Sequence, residues 1–168
     1  GKDAFEIQFI DSKVFYRSTS SQGSGNELFY YDGDGGVNYQ ISDDSQRREN
    51  LVATDGNYAV WSSSADYATG QFFLYDFSTH QSTKIVDSYG LAFLGMSGSN
   101  VAWYVVNTPG LFFYNGSTGR TTNLYNNPAF SGESSQKFEG LSGSNLVWSS
   151  YVGTDRELRL YQGDTGTT

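Results

Sequence analysis

The chain offers few groups that could do chemistry. It has one histidine and no cysteine. His80 lies in Asp76-Phe77-Ser78-Thr79-His80-Gln81, between two strand-like runs. A hydrolase or lyase needs an activated nucleophile, an acid–base pair or a metal cluster. A lone turn histidine supplies none of these, and without a second one a histidine-rich metal site is excluded. In Asp32-Gly33-Asp34-Gly35-Gly36 two carboxylates stand two residues apart, as in part of a calcium loop. Asp32 and Asp34 are therefore candidate metal ligands, and Asp43, Asp44 and Asp55 join them only if the connecting loops converge. The third oxygen ligand and distal glutamate of a calcium loop are missing, so a Gly-rich hairpin competes and wins. No other cofactor is implied. Asn115-Gly116-Ser117 is the single Asn-X-Ser/Thr triplet, a candidate glycan acceptor at Asn115. Asn-Gly is also a favoured hairpin turn. Tyr67, Tyr89, Phe130 and Tyr151 sit in loops or at strand ends, where a sugar could stack on their rings.

The elements that carry these residues announce themselves as repeats. Ser97-Gly98-Ser99-Asn100-Val101-Ala102-Trp103 recurs as Ser142-Gly143-Ser144-Asn145-Leu146-Val147-Trp148. Looser copies end in Trp61 and Tyr16, and the four aromatic positions are 45, 42 and 45 residues apart. Such a period marks a repeat architecture. Within each repeat, alternating apolar runs bounded by turn residues predict four short strands. In the first they cover 5–10, 13–17, 27–31 and 37–41, and in the second 51–53, 58–62, 71–76 and 82–86, after a polar connection at 42–49. The third has 92–96, 101–106, 111–114 and 121–125. The fourth follows a loop at 126–136 and has 138–141, 146–151 and 157–161.

The third strand of each repeat carries a second anchor, Tyr31, Tyr75, Tyr114 or Tyr161. Leu28 and Tyr30, Phe72 and Leu74, Leu111 and Phe113, and Leu158 and Leu160 share the opposite face by the two-residue period of a strand. Strands apolar on both faces need cover on both, which a series of small stacked sheets provides. Beside the anchors stand Phe29, Phe73 and Phe112, with Arg159 in the fourth repeat. Either the stem of Arg159 lies along a neighbour with its guanidinium in water, or the fourth sheet lacks an apolar neighbour on that side.

These motifs, with the Phe72–Asp76 and Gly110–Gly119 segments, resemble TolB-like β-propeller repeats of bacterial and archaeal periplasmic and cell-surface proteins. The resemblance implies an all-β, propeller-like array of four four-stranded antiparallel blades in one domain, 1–168, divided at roughly 1–45, 46–89, 90–130 and 131–168. It implies fold far more than activity. The last blade is expected to be incomplete. Tyr161-Gln162-Gly163-Asp164-Thr165-Gly166-Thr167-Thr168 matches Tyr114 to Thr122 with one residue missing, so the sequence ends inside its sixteenth strand. The open edge, Gly166, Thr167 and Thr168 with Phe5 and Ile7 at the other terminus, is expected either to continue in a longer protein or to receive a strand from a neighbouring subunit.

Composition agrees with an all-β reading: 13 Tyr, 12 Phe and 20 Gly favour strands and turns over helices. A net charge of −8 opposes binding to a phosphate backbone, and no apolar run reaches the ~20 residues of a membrane span. The expectation is a non-enzymatic module of an extracellular, cell-surface or periplasmic protein, which assembles with copies of itself or docks other proteins. The alternatives are a carbohydrate-binding propeller and a periplasmic propeller that docks a partner as TolB-like proteins do.

Overall fold

A computed structural model describes residues 4–19, 25–44, 46–65, 69–106, 108–125 and 133–167. Tyr67, Phe130 and Thr168 lie outside them. The described residues form fifteen strands, and no helix among them is long and apolar enough to cross a membrane. The chain divides into two compact units, 1–88 and 89–168.

In the first unit, β1 (Ala4–Ile10), β2 (Lys13–Thr19), β3 (Asn26–Asp32) and β4 (Val37–Gln40) form one sheet, paired in sequence order. A second contains β5 (Arg48–Thr54), β6 (Tyr58–Ser64), β7 (Thr69–Asp76) and β8 (Gln81–Tyr89). In the second unit, β9 (Leu91–Ser97), β10 (Asn100–Val105), β11 (Thr108–Asn115) and β12 (Arg120–Asn123) form the third sheet. The fourth has three strands: β13 (Glu133–Ser142), β14 (Asn145–Val152) and β15 (Asp155–Gln162). The all-β expectation of four antiparallel sheets with an incomplete last one holds.

Two turns recur in every repeat because the same backbone geometry is imposed four times. Between the first two strands, Asp11, Gly56, Gly98 and Gly143 have φ of 54°, 94°, 56° and 56°. This left-handed region suits glycine and is tolerated by aspartate. After the third strand, Gly36, His80, Gly119 and Gly166 have φ of 67°, 55°, 67° and 67°. Each donates its N–H to the carbonyl four residues back, of Asp32, Asp76, Asn115 or Gln162, at 2.8–2.9 Å. Gly163 shows how tightly the turns nest: its N–H donates to Ser144 O at 2.8 Å, and a Cβ there would lie 2.4 Å from the Phe113 ring.

Each unit has its own core, and strand pairing decides which face enters it. Phe15, Leu28, Tyr30, Ile41, Ala59, Trp61 and Tyr75 form the first. Ala102, Leu111, Phe113, Leu124, Leu146, Trp148 and Tyr161 form the second. On the anchor faces, Tyr16 stacks on Phe29, Trp61 on Phe73 and Trp103 on Phe112, within 11° of parallel. In the fourth sheet Arg159 stands opposite Trp148 and pairs with Glu157 at 2.7 Å. Its strand neighbour on that face, Tyr161, packs on Phe113, so this side of the fourth sheet does have an aromatic neighbour.

Several sequence boundaries shift, and two strands reach into expected connections. The second repeat's first strand begins at Arg48, not Leu51, so part of the expected polar connection is strand, with Glu49 opposite Ser63. Asn26 holds this end, its Nδ2 donating to Glu49 O at 2.6 Å and its N–H to Arg47 O at 3.0 Å. Likewise β13 starts at Glu133, inside the expected loop. Polar residues join a strand when its partner's ladder supplies the bonds.

Trp103 is 1% exposed. Trp103→Ala should lower the unfolding free energy by about 3–5 kcal/mol, read from urea denaturation of variant and parent.

Candidate functional site

His80 occupies the position that carries glycine in the other three hairpins, and its left-handed backbone is strained for a side chain with a Cβ. Something must hold it there. Its Nδ1 is 3.1 Å from the Tyr30 hydroxyl and 3.3 Å from that of Tyr75, and its ring stacks on Tyr39 at 4.1 Å. The residue expected to be a plain turn residue thus joins the first and second sheets. Burial raises both phenols, Tyr30 far above the ordinary tyrosine range, so both stay protonated. The cluster brings no nucleophile to the imidazole, and its chemistry is that of a polar clasp.

The candidate calcium and glycan residues are turn-makers here. Asp32 Oδ1 accepts the Asp34 N–H at 3.1 Å, as Asp76 accepts Ser78 N–H and Asn115 accepts Ser117 N–H. Asp34 Oδ2 accepts the Ser12 hydroxyl, as Asp164 accepts that of Ser144. No group of three or more acidic or histidine side chains converges among the described residues. Asn115 is buried and its Nδ2, the atom a glycan would modify, donates to Gly163 O at 3.1 Å. A sugar there would have to displace the buried packing around Nδ2 and take one of the two hydrogens it donates to Gly163 and Asp164.

Glu49 escaped the sequence reading altogether. Its side chain is wholly buried, and only the Ser63 hydroxyl stands by its carboxyl. Burial first, then the charges of Asp44, Asp43 and Glu27, push its pKa from 4.5 to about 8. Arg17 is close by, donating to Glu49 O and to Asn50 Oδ1.

The largest anomaly is on the fourth sheet. The ladder places Val147 opposite Leu160, Ser149 opposite Leu158 and Tyr151 opposite Arg156, all on one face. Leu28, Phe72 and Leu111, the counterparts of Leu158 in the other repeats, are 1%, 6% and 2% exposed, whereas Leu158 is 71% exposed and Leu160 46%. Tyr151, an expected ring for ligand stacking, is exposed on this same face. Within the patch Arg156 donates to Glu139 Oε1 at 2.7 Å and to Ser149 Oγ at 2.8 Å. Hydrogen bonds from Ser149 and Lys137 hold the Glu139 carboxyl below its ordinary range. A shallow depression of about 500 Å³ is lined by Glu139, Val147, Ser149, Arg156, Glu157 and Leu158.

The remaining expected residues do not gather into one site. Tyr89 is exposed at the end of β8. Phe5 is half-buried under the Arg17 guanidinium, and Ile7 is exposed on β1 beside a bulge. Gly166 follows β15 in its turn, and Thr167 bridges back to Gln162. Gly166 also borders a groove of about 360 Å³ that includes Asn115, Arg120 and Tyr161.

No family model and no curated protein matches the chain. Solved structures do. The β-propeller domain of the Trilobed protease from Pyrococcus furiosus matches with TM-score 0.52 and 9% identity, over 95% of this chain and 55% of that one. A prolyl endopeptidase structure matches with TM-score 0.54 and 11% identity, over 96% and 28%. TolB from Acinetobacter baumannii matches with TM-score 0.47 and 14% identity, over 98% and 42%. The chain thus spans 28% to 55% of the length of these chains. Its four sheets are β-propeller blades, the fold that its motifs resemble.

Two outcomes follow. His80→Ala keeps the strained backbone but loses the clasp, and should cost about 2 kcal/mol, more than His80→Gly, which loses the clasp but relieves the strain; the reverse order would mean that the left-handed backbone carries no strain. Folded Glu49 keeps its proton to about pH 8, whereas an ordinary glutamate loses it near 4.5. Stability from this group is therefore full below pH 4.5 and falls as pH rises towards 8. Melting curves across that range should show a slope that Glu49→Gln removes.

Proposed function

We propose that this chain is a non-enzymatic protein-interaction module which docks a protein partner on the exposed face of its last blade. The observation that carries the reading is Leu158, exposed where its counterparts in the other repeats are buried. An apolar face built to blade pattern, beside Arg156, Glu139 and Ser149 whose hydrogen bonds are already made, offers surface that a partner could bury. The edge of β15 adds main-chain N–H and C=O groups to which a strand of the partner could pair. The reading keeps the cell-surface or periplasmic setting that the family resemblance implies, and self-assembly is its finer form.

A photoreactive residue at position 158, incorporated in cells that make the protein, should yield discrete protein adducts. The same residue at exposed Ser117, in a hairpin of the third blade, should not. Equal labelling at both positions, or none at 158, would remove the docking face.

A further inference from the structure

Glu49 breaks a rule that the other repeats keep. In the second, third and fourth sheets the first strand sets Leu51, Phe93 and Phe138 opposite Trp61, Trp103 and Trp148. Two residues before them stand Glu49, Leu91 and Gln136, and two after the tryptophans stand Ser63, Val105 and Ser150. The third sheet closes this end with an apolar pair, Leu91 opposite Val105. The fourth uses Gln136, an uncharged group of glutamate's shape, with its amide buried. In the first, Ala4 stands opposite Ser18. The position takes an uncharged side chain in every repeat but one.

The exception sits where the first blade grips the second. Asn26 Nδ2 and Arg17 Nη1 both donate to the main-chain oxygen of Glu49 itself, and the Asn26 N–H donates to Arg47 O. Three carboxylates bear on the Glu49 side chain from neighbouring segments: Glu27 of β3, itself buried, and Asp43 and Asp44 of the connection. From β6 comes only the Ser63 hydroxyl. The nearby cations are directed elsewhere. Arg17 of β2 is held by Glu6, Asn50 and the main chain, Arg47 pairs with Asp44 at 3.1 Å, and Arg48 leaves from the opposite face of β5. A carboxylate formed in this place is buried, uncompensated and repelled.

We propose that Glu49 is a proton-operated latch on the seam between the first two blades. With its proton, β5 lies against β3; without it, this seam opens while the strands of the second unit stay folded. Burial biases the carboxyl towards its protonated form, so the latch is closed in acid and loosens as pH rises towards about 8. It is a device of the first unit, separate from the face on the fourth blade.

Hydrogen exchange of the full chain, followed by mass spectrometry from pH 5 to 9 and corrected for the intrinsic pH dependence of amides, tests the latch. Amides of β3 and β5 should open more with pH, by up to about tenfold per unit until the carboxyl has ionised, while those of β9, β10 and β14 hold steady. Glu49→Gln should flatten the rise. Gln136→Glu should install a second rise in β13 and β14, or leave a chain that folds only in acid. A rise spread equally over all four sheets, one that survives in Glu49→Gln, or a Gln136→Glu chain whose fourth sheet ignores pH would overturn the proposal.

Discussion

The structure depends on one constraint: the strands of each repeat are apolar on both faces, and neither face can be left in water without cost. Burying a large side chain contributes about 2 kcal/mol, and each third strand carries several. A single sheet covers neither of its own faces, so the sheets must pack on one another. In both units the solution is the same, an anchor tyrosine set edge-on against the aromatic of the preceding blade. The turns serve that solution. Their left-handed glycines let the hairpins close tightly and nest, which brings the hydrogen-bonding ends of adjacent blades together, as Asn115 and Gly163 do.

Polar groups then appear where the apolar rule cannot reach, at the ends of the strands. Glu49 and Ser63 face each other across β5 and β6, and beyond the serine hydroxyl nothing polar answers the buried carboxyl. In the fourth blade Gln136 and Ser150 are unpartnered. His80 is the opposite case, a polar group drawn into a strained position by three tyrosines.

Much of this was legible from the residues. The Ser-Gly-Ser-Asn turn followed by an apolar strand and Trp is a local pattern, so the four repeats and the two faces of Leu158 to Tyr161 could be read by counting. Asp32, Asp76 and Asn115 precede their turns for a local reason too, since a side-chain oxygen caps the N–H two residues on. The misses were non-local. Glu49 reads as part of a polar connection, because its burial is imposed by β6 and Asn26 rather than by its neighbours in sequence. His80 reads as a surface turn residue and is one, but its contacts with Tyr30, Tyr39 and Tyr75 do not show in the sequence because Tyr30 and Tyr39 belong to another sheet. Leu158 and Leu160 were expected to be covered like their counterparts; the residue types are right, and only the packing of the fourth blade reveals that this face is open.

That exposed face lies on β15, the outermost strand of its sheet among the described residues, and exposed leucines on an outer strand are the starting point of uncontrolled stacking. β15 reads Asp155-Arg156-Glu157-Leu158-Arg159-Leu160-Tyr161-Gln162. Every leucine is flanked by charge, and Arg156 and Arg159 are engaged with Glu139 and Glu157. Unfolded or misaligned copies that tried to stack this segment in register would place like charges against one another at every rung. The same charges stand beside the two leucines exposed on the folded blade, so β15 is kept from disorderly stacking by the residues that border them.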